Sequence, residues 1–465
     1  MKEKKESSSL LKNQTKGVET LLGNPRKAII KLSIPMIIAM SVHTLYTFID
    51  ALWVSGLGAD ALSAVGFFFP FLFMILALAT GIGVGGGSAI SRRLGANDKS
   101  GADLVGAHTL VLMIITAVVI TVPLFLAAPN IFTAMGAGHV ASMAASYARI
   151  LFAGTVIFFF SNIASALMRA EGDVKRAMYA MMLGAGLNII LDPIFIYVLD
   201  LGVPGAAWAT MVSLSVSSIF LFRWLFIKKV TFIHISFQRF RFKRAITTDI
   251  FRVGIPASVQ QLAMAFSMFI LNLIAVKVGG TDGVAVYTTG WRVAMFAILP
   301  LLGIATAVTS VTGAAFGARD YVKLNNAYMY AIKIGLVIEL AVGLLTFVLA
   351  PQIAGLFTLA EETVRIRADL IVFLRMMCIY YPATALGILS SSMFQGTGKG
   401  LYSLILTLIR TIVLATPLAY IFAVILDIKL EGIWWGIVTG NVIAGFIAFI
   451  WGRFFIHRLL KTHTI

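Results

Sequence analysis

Apolar windows of about twenty residues, separated by short polar stretches, recur along the whole chain, and twenty residues at 1.5 Å each is the length a helix needs to cross the hydrocarbon core. Twelve windows fall at 29–54, 61–88, 104–126, 143–168, 177–199, 204–227, 248–277, 284–315, 324–350, 366–394, 401–425 and 431–456. Barrel strands would be shorter and would alternate in polarity. The pattern predicts an all-α membrane protein of twelve transmembrane helices.

Composition agrees: 59% of the 465 residues are hydrophobic and only 12% charged, which excludes an ordinary soluble domain. Charge then orients the spans. The N-terminal stretch carries Lys2, Lys4, Lys5, Lys12, Lys16, Arg26 and Lys27, and every second connection after it is basic, from Arg92 and Arg93 to the Arg453–Lys461 segment. The positive-inside rule puts both termini in the cytoplasm of a multi-pass plasma-membrane protein. The net charge of +17 is thus a topology signal with some attraction to anionic lipid, and no basic soluble domain exists to bind nucleic acid. Cys378, the single cysteine, excludes an intramolecular disulfide. No signal-peptide apolar core precedes the first span, and the Lys/Ser-rich residues 1–20 are expected to be disordered.

The chain repeats itself once. Lys31-Leu32-Ser33-Ile34-Pro35 returns as Arg252-Val253-Gly254-Ile255-Pro256, Gly95-Ala96-Asn97-Asp98 as Gly317-Ala318-Arg319-Asp320, and Asp192-Pro193 as Thr416-Pro417. Six spans per half insert both halves the same way up, which predicts two six-helix bundles related by a pseudo-twofold axis along the membrane normal. The expected organisation is a cytoplasmic tail at 1–28, a first bundle at 29–227, a basic linker at 228–247, a second bundle at 248–457 and a tail at 458–465.

Only three acids interrupt long apolar runs: Asp50, Asp192 and Glu339. A carboxylate at membrane depth is costly unless paired, protonated or bound to a cation. His43, Tyr46, Thr47 and Asp50 recur at steps of three and four and share one helix face, as do Asn188 and Asp192. Both spans run outward, so both acids fall at similar depth in the outer half of the bilayer. A proton or Na⁺ held between two such carboxyls is one reading. The other is structural, with Asp50 bonding a neighbouring helix and Asp192 satisfying backbone groups freed by Pro193. The repeat favours the first: Asp50 aligns with Asn272 and Asp192 with Thr416, so the acids of the first half are absent from the matching positions of the second.

Pro35 lies inside helical sequence and permits a bend. The glycines Gly81, Gly83 and Gly85–Gly87 lack the strand–turn–helix context of a phosphate loop and read as close helix packing. Methionines such as Met40 and Met181 suit either core filling or the wall of a cavity that accepts varied shapes. Lys333 and Glu339 are six apart and do not pair. Arg149, Arg292, Arg375 and Arg410 also fall in or near spans, where snorkelling or local pairing is the usual account. No HExxH, GxSxG, Walker or CxxC pattern occurs, so enzyme chemistry and a bound cofactor are not expected.

The stretch Gly186-Leu187-Asn188-Ile189-Ile190-Leu191-Asp192-Pro193-Ile194-Phe195-Ile196-Tyr197 resembles the fifth-helix motif of the multidrug and toxic compound extrusion (MATE) transporters. Tyr46…Asp50 with Trp53-Val54-Ser55, Arg169-Ala170-Glu171-Gly172-Asp173 and Gly205-Ala206-Ala207-Trp208-Ala209-Thr210 fit as well. The resemblance covers Leu21 to Arg453 and is closest to the archaeal, DinF-like branch. It implies cation-coupled export, by H⁺ or Na⁺, of amphipathic and often cationic compounds through alternating access. It also implies a cation set of Asp50, Asn188, Asp192 and Thr210, with Tyr147 nearby, and a substrate cavity that includes Tyr46. His43, Thr47, Met40 and Met181 complete the expected cavity, and Pro35 is the expected hinge. Small-molecule substrates and membrane lipids are the expected partners of a monomer. A flippase for a lipid-linked precursor is the alternative within the broader superfamily, but it favours a cationic cavity and the face here is acidic. An ion channel would require a filter motif that the chain lacks.

Overall fold

The computed structural model describes residues 14–238, 240–359 and 361–463, and no strand occurs among them. A short helix, α1 (Lys16–Leu22), precedes the spans. The spans of the first half are α2 (Pro25–Ser55), α3 (Ala59–Gly95), α4 (Lys99–Ala134), the pair α5 (Gly138–Ala153) and α6 (Thr155–Ala170), α7 (Val174–Val198) and α8 (Gly202–Ile227). Those of the second half are α9 (Arg244–Ala297), α10 (Leu299–Gly317), α11 (Tyr321–Phe357), α12 (Arg367–Gly396), α13 (Gly400–Ile425) and α14 (Lys429–His463). Eleven of the described helices are long and apolar enough to cross a membrane, and the pair α5/α6, bent by 48°, brings the number to twelve. α9 is broken at Gly280, where φ is +57°.

The internal repeat is visible in the backbone. Asn97 and Arg319 both take left-handed φ, 57° and 56°. In each case the next residue caps the following helix: Asp98 accepts from Gly101 N at 2.8 Å and Asp320 from Lys323 N at 2.9 Å. A short acidic side chain satisfies one of the orphan N–H groups of a helix start, which is why the same tetrapeptide turn serves twice. Gly172 and Gly398 repeat a second left-handed turn, and Asp200 and Asp427 a third.

By contacts the chain forms two compact units. Among the described residues, one contains residues 14–23 and 38–258, the other residues 24–37 and 259–463. The sequence places α2 wholly in the first half and α9 wholly in the second, whereas contacts divide both helices. Each division falls two residues after a proline, Pro35 in α2 and Pro256 in α9.

Within the first unit the glycine-rich end of α3 is a packing surface. A Cβ on Gly85 would lie 2.3 Å from Ile250 O of α9, and one on Gly86 would lie 2.4 Å from Thr109 Oγ1 of α4. A Cβ on Gly83 would be less crowded, 3.1 Å from the Ala166 methyl of α6. Arg92 at the end of α3 is tied to Asp249 at 2.6 Å.

Two stretches depart from expectation. Residues 16–20 are helical rather than disordered, because α1 buries Val18 and Leu21 and is capped by Thr15. Residues 1–13 lie outside the described residues. The basic connection 228–243 is strapped to the first unit by side chains distant in sequence. Asp103 accepts from His234 N at 2.8 Å, Glu171 Oε2 from Ile233 N at 3.0 Å, and His108 Nε2 from Lys243 N at 2.9 Å.

Glu171 is 1% exposed and its Oε1 has no donor. Burial pushes its carboxyl up to about 8, a shift eased by the Ile233 N–H. Such a group takes up a proton on folding at any pH between its ordinary range and about 8. Its contribution is therefore complete at low pH and lost as pH rises through the upper value. The melting temperature in detergent is expected to fall between about pH 5.5 and about pH 8.5, and more steeply in wild type than in Glu171→Gln.

Candidate functional site

The acids of the first half meet near the ends of their helices. Asp50 lies close to the end of α2 at Ser55, and Asp192 lies one turn and a half before the end of α7 at Val198. Pro193 follows directly, and the helix relaxes into a π turn over Ile194–Val198, a local geometry that recurs at functional positions. Asp192 is fully buried and Asn188 nearly so. Asn188 Nδ2 donates to Asp192 Oδ1 at 3.1 Å and lies 3.4 Å from Thr210 Oγ1 of α8. Thr210 in turn donates to Ala206 O at 3.0 Å.

What these groups leave unsatisfied is as informative as what they bond. Asp192 Oδ2 and Asn188 Oδ1 are buried and receive no N–H or O–H. Facing them is Asp50, whose carboxyl is near enough to Asp192 to share a hydrogen bond once one of the two carries a proton. Two carboxylates that close repel, and burial strengthens the repulsion. The backbone role considered for Asp192 finds no support in its contacts: its recorded donor is a side chain, not an amide freed by Pro193.

Aromatic groups enclose the pair. Tyr46 and Tyr147 both lie within electrostatic reach of Asp50 and Asp192. Tyr147 sits edge-on to Phe68 at 5.5 Å and packs on the cluster of Val54, Ile196 and Ala206. Tyr197 OH donates to Trp53 O at 2.6 Å, joining the end of α7 to the end of α2. The sequence gives Tyr197 no role beyond its place in the motif, since a tyrosine near a span end is ordinary at a membrane interface.

The remaining expected cavity residues are less gathered. His43 lies edge-on to Tyr46 at 4.9 Å, and both His43 and Thr47 reach the surface of the unit. Thr47 Oγ1 donates to His43 O at 2.9 Å. Met40 and Met181 are half-buried. Pro35 is buried inside α2. No cluster of three or more His, Cys, Asp or Glu that could hold a metal occurs among the described residues.

The second half has uncharged residues at the positions that match the two acids. Thr416 Oγ1 bonds Ser267 Oγ at 2.8 Å and Thr411 O at 2.7 Å, while Asn272 Nδ2 donates to Met268 O at 3.1 Å. Glu339 of α11 is buried, and neither of its carboxylate oxygens has a donor.

The MatE family profile matches this chain twice, at residues 35–194 and 256–421. The chain belongs to the MATE transporter family. The two matched segments are the two repeats found in the sequence, so the duplication is a property of the MATE fold itself. Among curated relatives, the multidrug export protein MepA of Staphylococcus aureus strain MSSA476 is 26% identical over 431 residues, which covers 91% of this chain and 92% of MepA. A crystal structure of MATE in complex with MaL6 is 51% identical, covers 96% of this chain and 100% of its own, and superposes with a TM-score of 0.95. A crystal structure of MATE in the bent conformation is 50% identical, covers 97% and 100%, and has a TM-score of 0.92. These twelve-helix structures and the helices found here agree on the all-α membrane fold. The export activity named for MepA gives no support to the flippase alternative.

Proposed function

We propose that this MATE protein is a multidrug exporter that exchanges H⁺ or Na⁺ for amphipathic organic compounds by alternating access, with both termini in the cytoplasm and with coupling at Asp50 and Asp192. One observation carries the reading. A buried carboxylate oxygen and a buried amide oxygen, Asp192 Oδ2 and Asn188 Oδ1, have no donor and stand beside a second carboxyl. Oxygen-only groups without hydrogen-bond donors are what a proton or a hard cation fills. Asp50, Asp192, Asn188 and Thr210 would supply the ligands for Na⁺, whereas a proton needs only the two carboxyls. Tyr46, His43, Thr47, Met40 and Met181 would line the substrate's side, with Tyr147 beside the ion.

Coupling requires the ion to bind one conformation better than the other. Filling the site removes the repulsion between the acids and so favours whichever shape of α2 brings them together. Pro35, where the contacts of α2 pass from one unit to the other, is the natural place for that helix to bend. The bent conformation of a MATE relative at 50% identity supports such a movement. Proteoliposomes loaded with ethidium and given a Na⁺ gradient or a pH gradient in turn test the reading. Uphill transport under one of the two is expected, and transport indifferent to both would refute the coupling.

A further inference from the structure

The second half carries a charge of its own. Arg410 lies in α13, ten residues beyond the helix start at Gly400. That is on the order of 15 Å along the helix, farther than an arginine side chain can span to reach the helix start, and the residue is half-buried. A guanidinium does not deprotonate in proteins, so it cannot escape the membrane's cost by becoming neutral as a carboxyl can. It needs an acceptor.

The protein supplies none of adequate strength among the described residues. The recorded polar contact of Arg410 is Nη2 to Met264 Sδ at 3.6 Å, and a thioether is a weak acceptor. No carboxylate pairs with it, Glu339 included, in the ion pairs of the described residues. The neighbouring hydroxyls are already committed. Thr407 bonds Gln260, Thr411 Oγ1 donates to Thr407 O at 2.8 Å, and Ser267 is shared between Thr411 O and Thr416. Other arginines in spans are better served: Arg149 donates to Phe125 O and stacks on its ring, and Arg375 stacks on Phe347.

Two further features mark the position. Arg410 falls in a π-helical stretch, Ile409–Ala415, where the widened turn pushes side chains out of helical register, a feature frequent at functional sites. Its counterpart in the first half, at the offset that pairs Thr416 with Asp192, is Gly186, whose Cβ position has no atom within 4 Å. Along α7 and α13 the halves have thus diverged in opposite senses, an acid at Asp192 in one and a cation at Arg410 in the other.

We propose that Arg410 receives the phosphate- or carboxylate-type group of an anionic amphiphile bound within the second unit. The forked guanidinium takes two oxygens of such a group at once, and the apolar wall of α9 around Met264 takes the chain. This goes beyond the cation site and is independent of it, since none of the coupling residues takes part.

Binding of a fluorescent dodecyl phosphate to the full chain in phosphatidylcholine nanodiscs tests it. A charge-assisted pair lost from such a site costs about tenfold in affinity. Arg410→Gln is expected to weaken binding by that factor and Arg410→Lys to restore part of it, while a matched dodecyl trimethylammonium probe binds all three alike. Equal dodecyl phosphate affinity in wild type and Arg410→Gln, both showing cooperative melting, would overturn the proposal. Should Arg410→Gln not fold, Arg410→Lys carries the test, because a forked contact predicts a measurable loss there too. Adding phosphatidylglycerol separates the sources: competition with the probe assigns the site to a lipid headgroup, and no competition assigns it to a solute anion.

Discussion

Replacing Asp192 by asparagine is expected to reduce uphill drug export by at least about 100-fold, the scale set by loss of a site whose coupling energy is a few kcal/mol. Asp50→Asn should do the same. Both changes keep the shape of the side chain and remove the charge that a proton or Na⁺ answers. Asn188 Nδ2 now donates to Asp192 Oδ1, and an asparagine carbonyl accepts that bond equally well, so the local fold survives. The expected signature is selective: the variants insert, melt near the wild-type temperature and bind drug, yet no longer respond to an ion gradient. Wild-type export by either would remove the acid pair from the mechanism. Coupled export measured in proteoliposomes, alongside a melting curve, decides this.

A second large effect is expected far from the acids. Gly85→Ala should destabilise the first unit by about 3 kcal/mol, the upper range for overpacking a close contact. Its Cβ would stand 2.3 Å from Ile250 O and 3.1 Å from the backbone of Gly254, and neither backbone can move without displacing α9. Gly66→Ala in the same helix is the control, because nothing lies within 4 Å of that position. A clear fall in melting temperature for Gly85→Ala and none for Gly66→Ala is expected. Equal melting of both would show that α3 and α9 are not packed as described.

Much of this was legible because membranes punish polarity so strongly. The spans follow from apolar length, and Asp50 and Asp192 stand out because they interrupt apolar runs while their counterparts in the repeat, Asn272 and Thr416, are uncharged. The turns Asn97-Asp98 and Arg319-Asp320 exposed the duplication, since left-handed backbone and a helix cap constrain sequence tightly. Thr210 and Tyr147 came only through family resemblance. A threonine that bonds its own helix carbonyl, as Thr210 bonds Ala206, carries no pattern that separates it from the many others. The strap over residues 228–243 was hidden for a different reason. Its bonds join residues 62 to 135 positions apart, and no local periodicity reports such pairings. The division of α2 and α9 between units is likewise a matter of packing. The prolines that sit beside both divisions were readable, but not the contacts on either side. α1 escaped because seven residues with two buried side chains make too short a pattern beside a Lys/Ser-rich stretch.

The most direct measurement is the movement of the ion itself. Wild-type protein in vesicles with no ion gradient is given a drug gradient alone, while internal pH and ²²Na⁺ content are followed. The account predicts that drug flowing one way drives one of these cations the other way, and that Asp192→Asn abolishes this counterflow while drug still equilibrates. Drug movement in the wild type with neither cation displaced, or an equal counterflow in Asp192→Asn, would contradict it.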